Sequence, residues 1–159
     1  MILIRPVLLK ELKHLASIYV ASYNSINIGE KWNTKTAFEL MRYFFQQQPD
    51  LFFTAFVEKR LAGATVAMVK PWWDGNHLID GEVFVDPRYQ KKGIGTKLIK
   101  KLFQTANQKY RVISWDTYTH IVYDHPLTWY KTLGFKNIRS WTMISGNVKR
   151  VLKNISNEN

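Results

Sequence analysis

Val83-Phe84-Val85-Asp86-Pro87-Arg88-Tyr89-Gln90-Lys91-Lys92-Gly93-Ile94-Gly95-Thr96-Lys97-Leu98 is the stretch of this sequence that decides its fold. An apolar run ends at Val85, a proline-bearing turn follows, and two glycines one residue apart open an amphipathic helix. Leu98, Ile99, Leu102, Phe103 and Ala106 recur at helical spacing and define its buried stripe, while Lys97, Lys100, Lys101 and Gln104 face outward. A glycine-opened helix start presents unpaired backbone N–H groups and the positive end of the helix dipole, which together form an anion site. Glycine also lets the backbone approach phosphate oxygens with no Cβ in the way. Lys91 and Lys92 add point charges for those oxygens. Two other phosphate loops do not fit: Gly-x4-Gly-Lys-Ser/Thr is absent, and Gly-x-Gly-x-x-Gly would need glycine where Leu98 stands. Taken alone, the stretch is equally an ordinary strand-to-helix turn with a solvated basic face.

The flanks supply the rest of the architecture. Residues 51–57 and 61–69, rich in β-branched and aromatic side chains and separated by Glu58-Lys59-Arg60, predict a hairpin. Residues 78–85 predict a third strand, after a turn-rich loop over Pro71-Trp72-Trp73-Asp74-Gly75-Asn76. Nearer the N-terminus, residues 2–5 read as an edge strand closed by Pro6. Leu8, Leu12, Leu15, Ile18 and Tyr19 mark a helix over 8–22. After the polar stretch 24–32, Asn33 or Thr34 caps a helix that carries Phe38, Met41, Phe44 and Phe45 and stops before Pro49. Downstream of the turn come a helix to about residue 107, a strand over 111–117, a short helix over 126–133 and a last strand over 135–144. A meander followed by strand-helix-strand-helix-strand makes a mixed α+β fold, with a mostly antiparallel central sheet flanked by helices. No repeat, low-complexity tract or linker divides residues 1–159, which therefore read as a single domain.

Composition narrows the function classes. The chain has 23 Lys and Arg against 12 Asp and Glu, a net charge of +11, which suggests an anionic partner such as nucleic acid, a membrane surface or a polyanionic small molecule. Six basic residues fall between Arg88 and Lys101, and Lys149, Arg150 and Lys153 form a second run. With no RNA-recognition or helix-turn-helix signature, weak salt-sensitive phosphate contact is the most that nucleic acid is expected to find here. The absence of cysteine excludes disulfides, thiolate metal sites and cysteine nucleophiles, and no metal is expected. No apolar run approaches the ~18 residues of a membrane span, and Met-Ile-Leu-Ile-Arg-Pro is not a secretion signal, so the cytoplasm is the expected compartment. Asn154-Ile155-Ser156 is then a chance glycosylation sequon.

Two motifs together resemble a known family. Gln90-Lys91-Lys92-Gly93-Ile94-Gly95, after a strand ending Val85-Asp86-Pro87, is similar to the Gln/Arg-x-x-Gly-x-Gly/Ala signature of the GCN5-related N-acetyltransferases (GNAT). Trp129-Tyr130-Lys131-Thr132-Leu133-Gly134-Phe135 resembles that family's Phe-Tyr-x-x-Leu-Gly-Phe. The order of elements agrees along nearly the whole chain, the tail excepted.

The resemblance implies an acyltransferase that uses acetyl-CoA as donor. Pantetheine is expected along the backbone of Val83, Phe84 and Val85, and the pyrophosphate against Gln90, Lys91, Lys92, Gly93, Ile94, Gly95 and Thr96. The attacking amine must lose a proton, charge developing on the acyl oxygen needs N–H donors, and the leaving thiolate gains from a proton donor. Tyr130 matches the family's tyrosine and is the expected acid, since a phenol near pKa 10 can share a proton with a thiolate. Its plain alternative is a packing aromatic. Glu82, where many members place a carboxylate, is the expected base, with Asp80, Asp116, His120 and His125 as rivals. One departure stands out: seven residues before its tyrosine the family often has a pantetheine-contacting asparagine, and here that residue is Tyr123.

The acceptor site is expected in the variable N-terminal half. Glu30, Trp32, Trp72, Trp73, Asp80 and Asp116 combine aromatics with carboxylates, suiting a cationic small-molecule amine through stacking, cation–π contact and ion pairing. These segments are similar to a branch that includes the six-prime aminoglycoside N-acetyltransferases. The alternatives are a protein N-acetyltransferase with an open groove, a basic nucleic-acid-binding module, or a CoA-binding domain without catalysis. No membrane partner is expected, and the chain is expected to be a monomer or a homodimer.

Overall fold

The computed structural model describes residues 1–26 and 28–156. Its centre is one five-stranded sheet in the order β1-β2-β3-β4-β5, with β1 Ile2–Pro6, β2 Phe53–Val57, β3 Arg60–Trp72, β4 Gly75–Val85 and β5 Val112–Trp115. All neighbours are antiparallel except β4 and β5, which run parallel. Helices α1 Leu12–Asn24 and α2 Thr34–Gln47 cover one face, and α3 Ile94–Tyr110 covers the other. Helices α4 Leu127–Thr132 and α5 Val148–Ser156 follow β5.

Each face has its own core. Leu12, Leu15, Tyr19, Met41 and Phe44 pack with Phe52, Val66 and Phe84 on the α1–α2 side. Leu98, Leu102 and Ala106 of α3 pack with Phe53, Ala55, Leu78 and Trp115 on the other. The alternation of strand side chains divides β4 between them: Phe84 joins the first core, while Val83 and Val85 face the second. At the start of α2, Asn33 Oδ1 accepts the N–H groups of Lys35 and Thr36 at 3.0 Å each, as the cap reading expects.

Four expectations need correction. The loop over residues 71–76 is instead the end of a long hairpin: Pro71 pairs with Asn76 and Trp72 with Gly75, leaving only Trp73-Asp74 as the turn. Proline is tolerated there because β2 pairs with β3 only as far as Thr65, so Pro71 has no ladder bond to lose on that side. No strand forms over residues 135–144; a turn from Ile138 to Trp141, closed by a 3.4 Å hydrogen bond, breaks the run, and Trp141, Met143 and Ile144 are exposed. Helix α1 begins at Leu12 rather than residue 8, and residues 9–11 form a single 3-10 turn before it. Phe103, expected in the buried stripe, lies at its margin, edge-on to Trp115 at 5.7 Å.

Candidate active site

The site is built on β4. Between the pairs Val66↔Glu82 and Met68↔Ile79, Ala67 of β3 faces two residues of β4, Asp80 and Gly81. This bulge holds Asp80 at φ 45° and re-aims the strand beyond it. β5 pairs with β4 only as far as Leu78↔Trp115; the N–H of Asp116 then donates to Leu78 O at 2.9 Å and the strands part. From Ile79 to Val85 the outer edge of β4 has no strand partner among the described residues. Trp115 fills the start of the gap. A Cβ on Gly81 would stand 2.3 Å from Trp115 Cζ2, so glycine is what admits the indole. Trp115 Nε1 is buried there with no hydrogen-bond partner among the described residues.

Glu82 lies beside that free edge, on the α1 face. Its Oε2 accepts the hydroxyl of Tyr23, and Tyr19 is part of the same group. Burial pushes the Glu82 carboxyl up to about 7, and the nearby charge of Glu30 adds to the rise, against the pull of the tyrosine hydroxyls. Burial first, and the Glu82 charge second, push the Tyr23 phenol well up. Glu30 is fixed by Trp32, whose Nε1 donates to its Oε2 at 2.6 Å. Asn24 in turn clips the Trp32 backbone, donating to its carbonyl at 2.8 Å and accepting its N–H at 3.1 Å. Tyr118, on the segment after β5, is largely exposed; partial desolvation and then the charges of Asp80, Glu82 and Glu30 raise its pKa.

The turn after β4 is held by its own side chains. Asp86 is buried, accepts the N–H of Arg88 at 2.9 Å and pairs with the Arg88 guanidinium at 2.6 Å, which holds its carboxyl below the usual range. Gln90 Nε2 donates to Val85 O at 2.9 Å, drawing the turn back onto the strand. Lys91 at φ 59° and Gly93 at φ 74° then curl the backbone into the start of α3. The first α-helical bond is Lys97 N–H to Gly93 O at 3.1 Å, so the amides of Ile94, Gly95 and Thr96 have no acceptor within the helix. A Cβ on Gly93 would meet nothing within 4 Å, so the positive φ and not crowding calls for glycine there, and the space beside it is open. Gly95 has a second reason. Its missing Cβ would stand 3.2 Å from Trp129 Cζ2, and Trp129 Nε1 donates to Thr96 Oγ1 at 3.3 Å, so α4 packs directly on the first turn of α3.

That packing brings in Tyr130. It is buried, edge-on to Phe135 at 5.0 Å and to Trp115 at 6.5 Å. Burial, and behind it the charge of Glu82, raises its pKa, so the phenol keeps its proton. Tyr130 also acts on Tyr23, which places Tyr23, Glu82 and Tyr130 in one group at the gap.

The residues singled out in the sequence thus separate. Val83–Val85, the turn 90–96, Glu82, Tyr130, Asp80, Glu30 and Trp32 gather around the free edge of β4. Trp72 and Trp73 sit at the other end of the strand, and Asp116 lies between, its N–H on Leu78 O and its carboxylate on His77. Gly75 is seven residues from Glu82, roughly 20 Å at about 3.3 Å per residue. Trp73 is solvent-exposed, Trp72 carries Lys70 Nζ over its ring at 4.1 Å, and Asp116 is engaged by His77. Among the rival bases, His120 has neither ring nitrogen hydrogen-bonded among the described residues and packs against Tyr123 at 5.8 Å. His125 is exposed, its pKa lowered by desolvation and then by Lys91. The sequence reading missed Tyr23, Tyr118 and the pair Gly81–Trp115. Tyr19 and Tyr23 stand four apart and share one helix face, but a helix ending at residue 22 hides the second of them.

The sequence matches the model of the acetyltransferase (GNAT) family over residues 12–135. The chain belongs to that family. Solved structures place its fold there too. It is similar to PH1933 from Pyrococcus horikoshii OT3, with a TM-score of 0.71 and 24% identity over 92% of this chain and 93% of that one. It is similar to a predicted acetyltransferase from Clostridium acetobutylicum, determined with acetyl-CoA, with a TM-score of 0.69 and 19% identity over 91% and 96%. It is also similar to AAC(6')-Iy in complex with the bisubstrate analog CoA-S-monomethyl-acetylneamine, with a TM-score of 0.68 and 15% identity over 92% and 99%. A search of curated protein sequences finds no match. Among the described residues of this GNAT acetyltransferase, no helix is long and apolar enough to cross a membrane.

Proposed function

We propose that the chain, acting as a single acyl-CoA N-acyltransferase domain, moves the acetyl group of acetyl-CoA to a primary amine of a small cationic molecule. The aminoglycosides are the model for that acceptor class. The observation that carries this reading is a carboxyl poised near 7, Glu82, beside the unpaired edge of β4. A general base works best when its pKa lies near the working pH.

The residues present fit a CoA thioester. Unpartnered amides at the start of α3, open space at Gly93 and the basic Lys91 and Lys92 suit a pyrophosphate. The free edge of β4 over Val83–Val85 and the orphaned Trp115 Nε1 suit an amide-bearing chain laid along the gap. When bound, acetyl-CoA supplies the acyl group as a thioester. Glu82 takes the proton that the amine nitrogen loses as it becomes an amide. N–H groups on the free edge of β4 are the donors for negative charge at the acyl oxygen. Tyr130 donates a hydrogen bond toward the departing sulfur. Its raised pKa makes complete proton transfer uphill, so Tyr130 keeps its proton while its hydrogen bond stabilises the departing thiolate, which takes its proton from solvent.

Acceptor class is read from local charge. Glu30, Asp80 and Glu82 act jointly on Tyr118, giving an acidic, aromatic-walled patch on a chain whose net charge is +11. Focusing within such a patch outweighs the distant basic surface and selects a cation. AAC(6')-Iy, bound to an acetylneamine conjugate, lends the aminoglycoside model its support. The test is thiol release from acetyl-CoA across aminoglycosides, polyamines, amino acids and peptides. Turnover confined to small cationic amines is the expected result. Turnover confined to peptides overturns the acceptor assignment, and silence across the panel despite tight CoA binding overturns the catalytic one.

A further inference from the structure

We infer that Tyr23 is a positioning residue for the reaction: its hydroxyl aims the Glu82 carboxylate and sets the pH at which that carboxylate becomes available to take a proton. This rests on Glu82 being the base.

The geometry makes Tyr23 a fixed donor. The last turns of α1 are tied to β4 at two points, by Tyr23 Oη on Glu82 Oε2 and by Ser22 Oγ donating to Val85 O at 2.9 Å. The Tyr23 ring stacks on Tyr19 with centroids 4.3 Å apart and planes 26° apart. Tyr19 is braced edge-on by Phe84 at 5.1 Å and by Trp32 at 5.0 Å. A hydroxyl on so confined a ring loses little freedom when it holds a carboxylate, which is the condition for a preorganised supporting contact.

Charge then gives the contact its weight. Glu82 is acted on by Tyr19 and Tyr23 from α1 and by Glu30 from the loop before α2; its own charge reaches Tyr130 from α4 and Tyr118 from the segment after β5, and Asp80 of β4 acts on the same Tyr118. Of these, the carboxylates can only oppose ionisation of Glu82, and the tyrosines are phenols at neutral pH. In a chain of 23 Lys and Arg, none pairs with Glu82 among the described residues. With no cation to offset burial, the charged form is supported by hydroxyl donation, and the hydrogen bond from Tyr23 is the largest such support. A buried carboxylate with no donor stays protonated and cannot act as a base, whereas one ringed by donors binds a proton too weakly. A tyrosine-backed carboxylate lies between.

The test reads Glu82 directly. Protein labelled with 13C at the glutamate side-chain carboxyls is titrated by NMR as wild type and as Tyr23→Phe, with Glu82→Gln assigning the resonance. Wild type is expected to titrate near 7. Tyr23→Phe is expected to raise that midpoint by roughly one to two pH units, because a hydrogen bond to a charged group is worth about 1.5–3 kcal/mol. The acid limb of kcat/KM, measured with acetyl-CoA and the best amine of the panel, moves upward with it. Ser22→Ala, which loosens the same helix end without touching the carboxyl, is expected to leave the midpoint in place. An unmoved midpoint in Tyr23→Phe, or an equal shift in Ser22→Ala, overturns the inference. Full activity in Glu82→Gln removes the base assignment instead, and the titration still decides whether Tyr23 tunes Glu82.

Discussion

β4 carries acidic and aromatic side chains at both of its ends, and the two groups are opposite in electrostatics. Near its C-terminal end, Glu82 is half-buried among tyrosines with no cation paired to it among the described residues, and desolvation drives its carboxyl up to about 7. Near its N-terminal end, His77 pairs Nδ1 with Asp116 Oδ2 at 2.6 Å and Nε2 with Asp74 Oδ1 at 2.9 Å, while Ser114 Oγ donates to Asp116 at 2.8 Å. There the hydrogen bond to Asp116 raises the His77 pKa. Burial alone would raise Asp116, but the hydrogen bonds from His77 and Ser114 hold it low. A carboxylate that is desolvated without a counter-charge is an available base; one matched by histidine is a clip that joins the hairpin tip to β5. Residue type alone does not separate the two, which is why Asp116 and Glu82 stood together in the sequence reading.

The strongest way to break this contrast is at the phosphate turn that serves the C-terminal end. Gly93→Glu puts a carboxylate in front of the unpartnered amides of α3 and places a non-glycine residue at φ 74°. Like-charge juxtaposition costs several kcal/mol, so acetyl-CoA affinity is expected to fall by at least about 100-fold. Calorimetric titration checks it, with circular dichroism confirming the fold. Unchanged affinity in a folded variant would sink the placement of the pyrophosphate.

Glu82→Gln should pull activity and stability in opposite directions. The rate of acetyl transfer falls by about 10²–10⁴-fold as the base is lost. Stability rises at alkaline pH: a carboxyl whose pKa is raised on folding contributes fully below its ordinary value of 4.5 and loses that contribution as pH rises through about 7. Removing the charge is therefore worth on the order of 3 kcal/mol at pH 8 and nothing near pH 4. Denaturant unfolding at the two pH values reads the difference; equal gains at both would show that desolvation of the charge is not the cause.

Tyr130→Phe keeps the ring that packs against Phe135 and Trp115 and removes only the hydroxyl. The expected loss is about 10²-fold in kcat with acetyl-CoA affinity little changed. Full activity would return Tyr130 to the packing role and leave Glu82 alone at the gap.

The two ends of β4 also differ in how far they could be read. The turn 86–96 was legible because glycine and proline act locally: Asp86-Pro87, Gly93 and Gly95 dictate backbone shape wherever they occur. The bulge at Asp80–Gly81 was not, since it arises from register between β3 and β4 and leaves no local mark. Gly81 lies in the strand between Asp80 and Glu82, and its purpose, admitting Trp115, depends on a residue 34 positions away. Gly95 was read as a phosphate contact, and Trp129 gives it a packing role no spacing rule announces. Tyr23 and Glu82, 59 residues apart, meet only because α1 lies across the strand. At the far end, Pro71 and Asp74-Gly75 signalled a loop, while missing competition from β2 let the hairpin run on to Trp72.

The smallest effect belongs to the clip. His77→Ala is expected to leave kcat/KM within about twofold, because His77 lies five strand residues from Glu82, roughly 16 Å at about 3.3 Å per residue, and no hydrogen bond or ion pair among the described residues joins the two. Its cost is in stability, and that cost depends on pH. A histidine whose pKa is raised on folding contributes fully below 6.5 and loses the contribution as pH rises through its folded value. Asp116, held low, contributes above its ordinary 3.8 and loses it as pH falls through its depressed value. The deficit of His77→Ala should therefore be larger at pH 6 than at pH 9, with a pH-dependent part of about 1 kcal/mol, since Asp116 is part-exposed and screened. Thermal unfolding of both proteins across that range measures it. If His77→Ala instead lowered the rate as much as Tyr130→Phe, the two ends of β4 would be one functional unit, and Trp72, Trp73 and Asp116 would belong beside the acceptor after all.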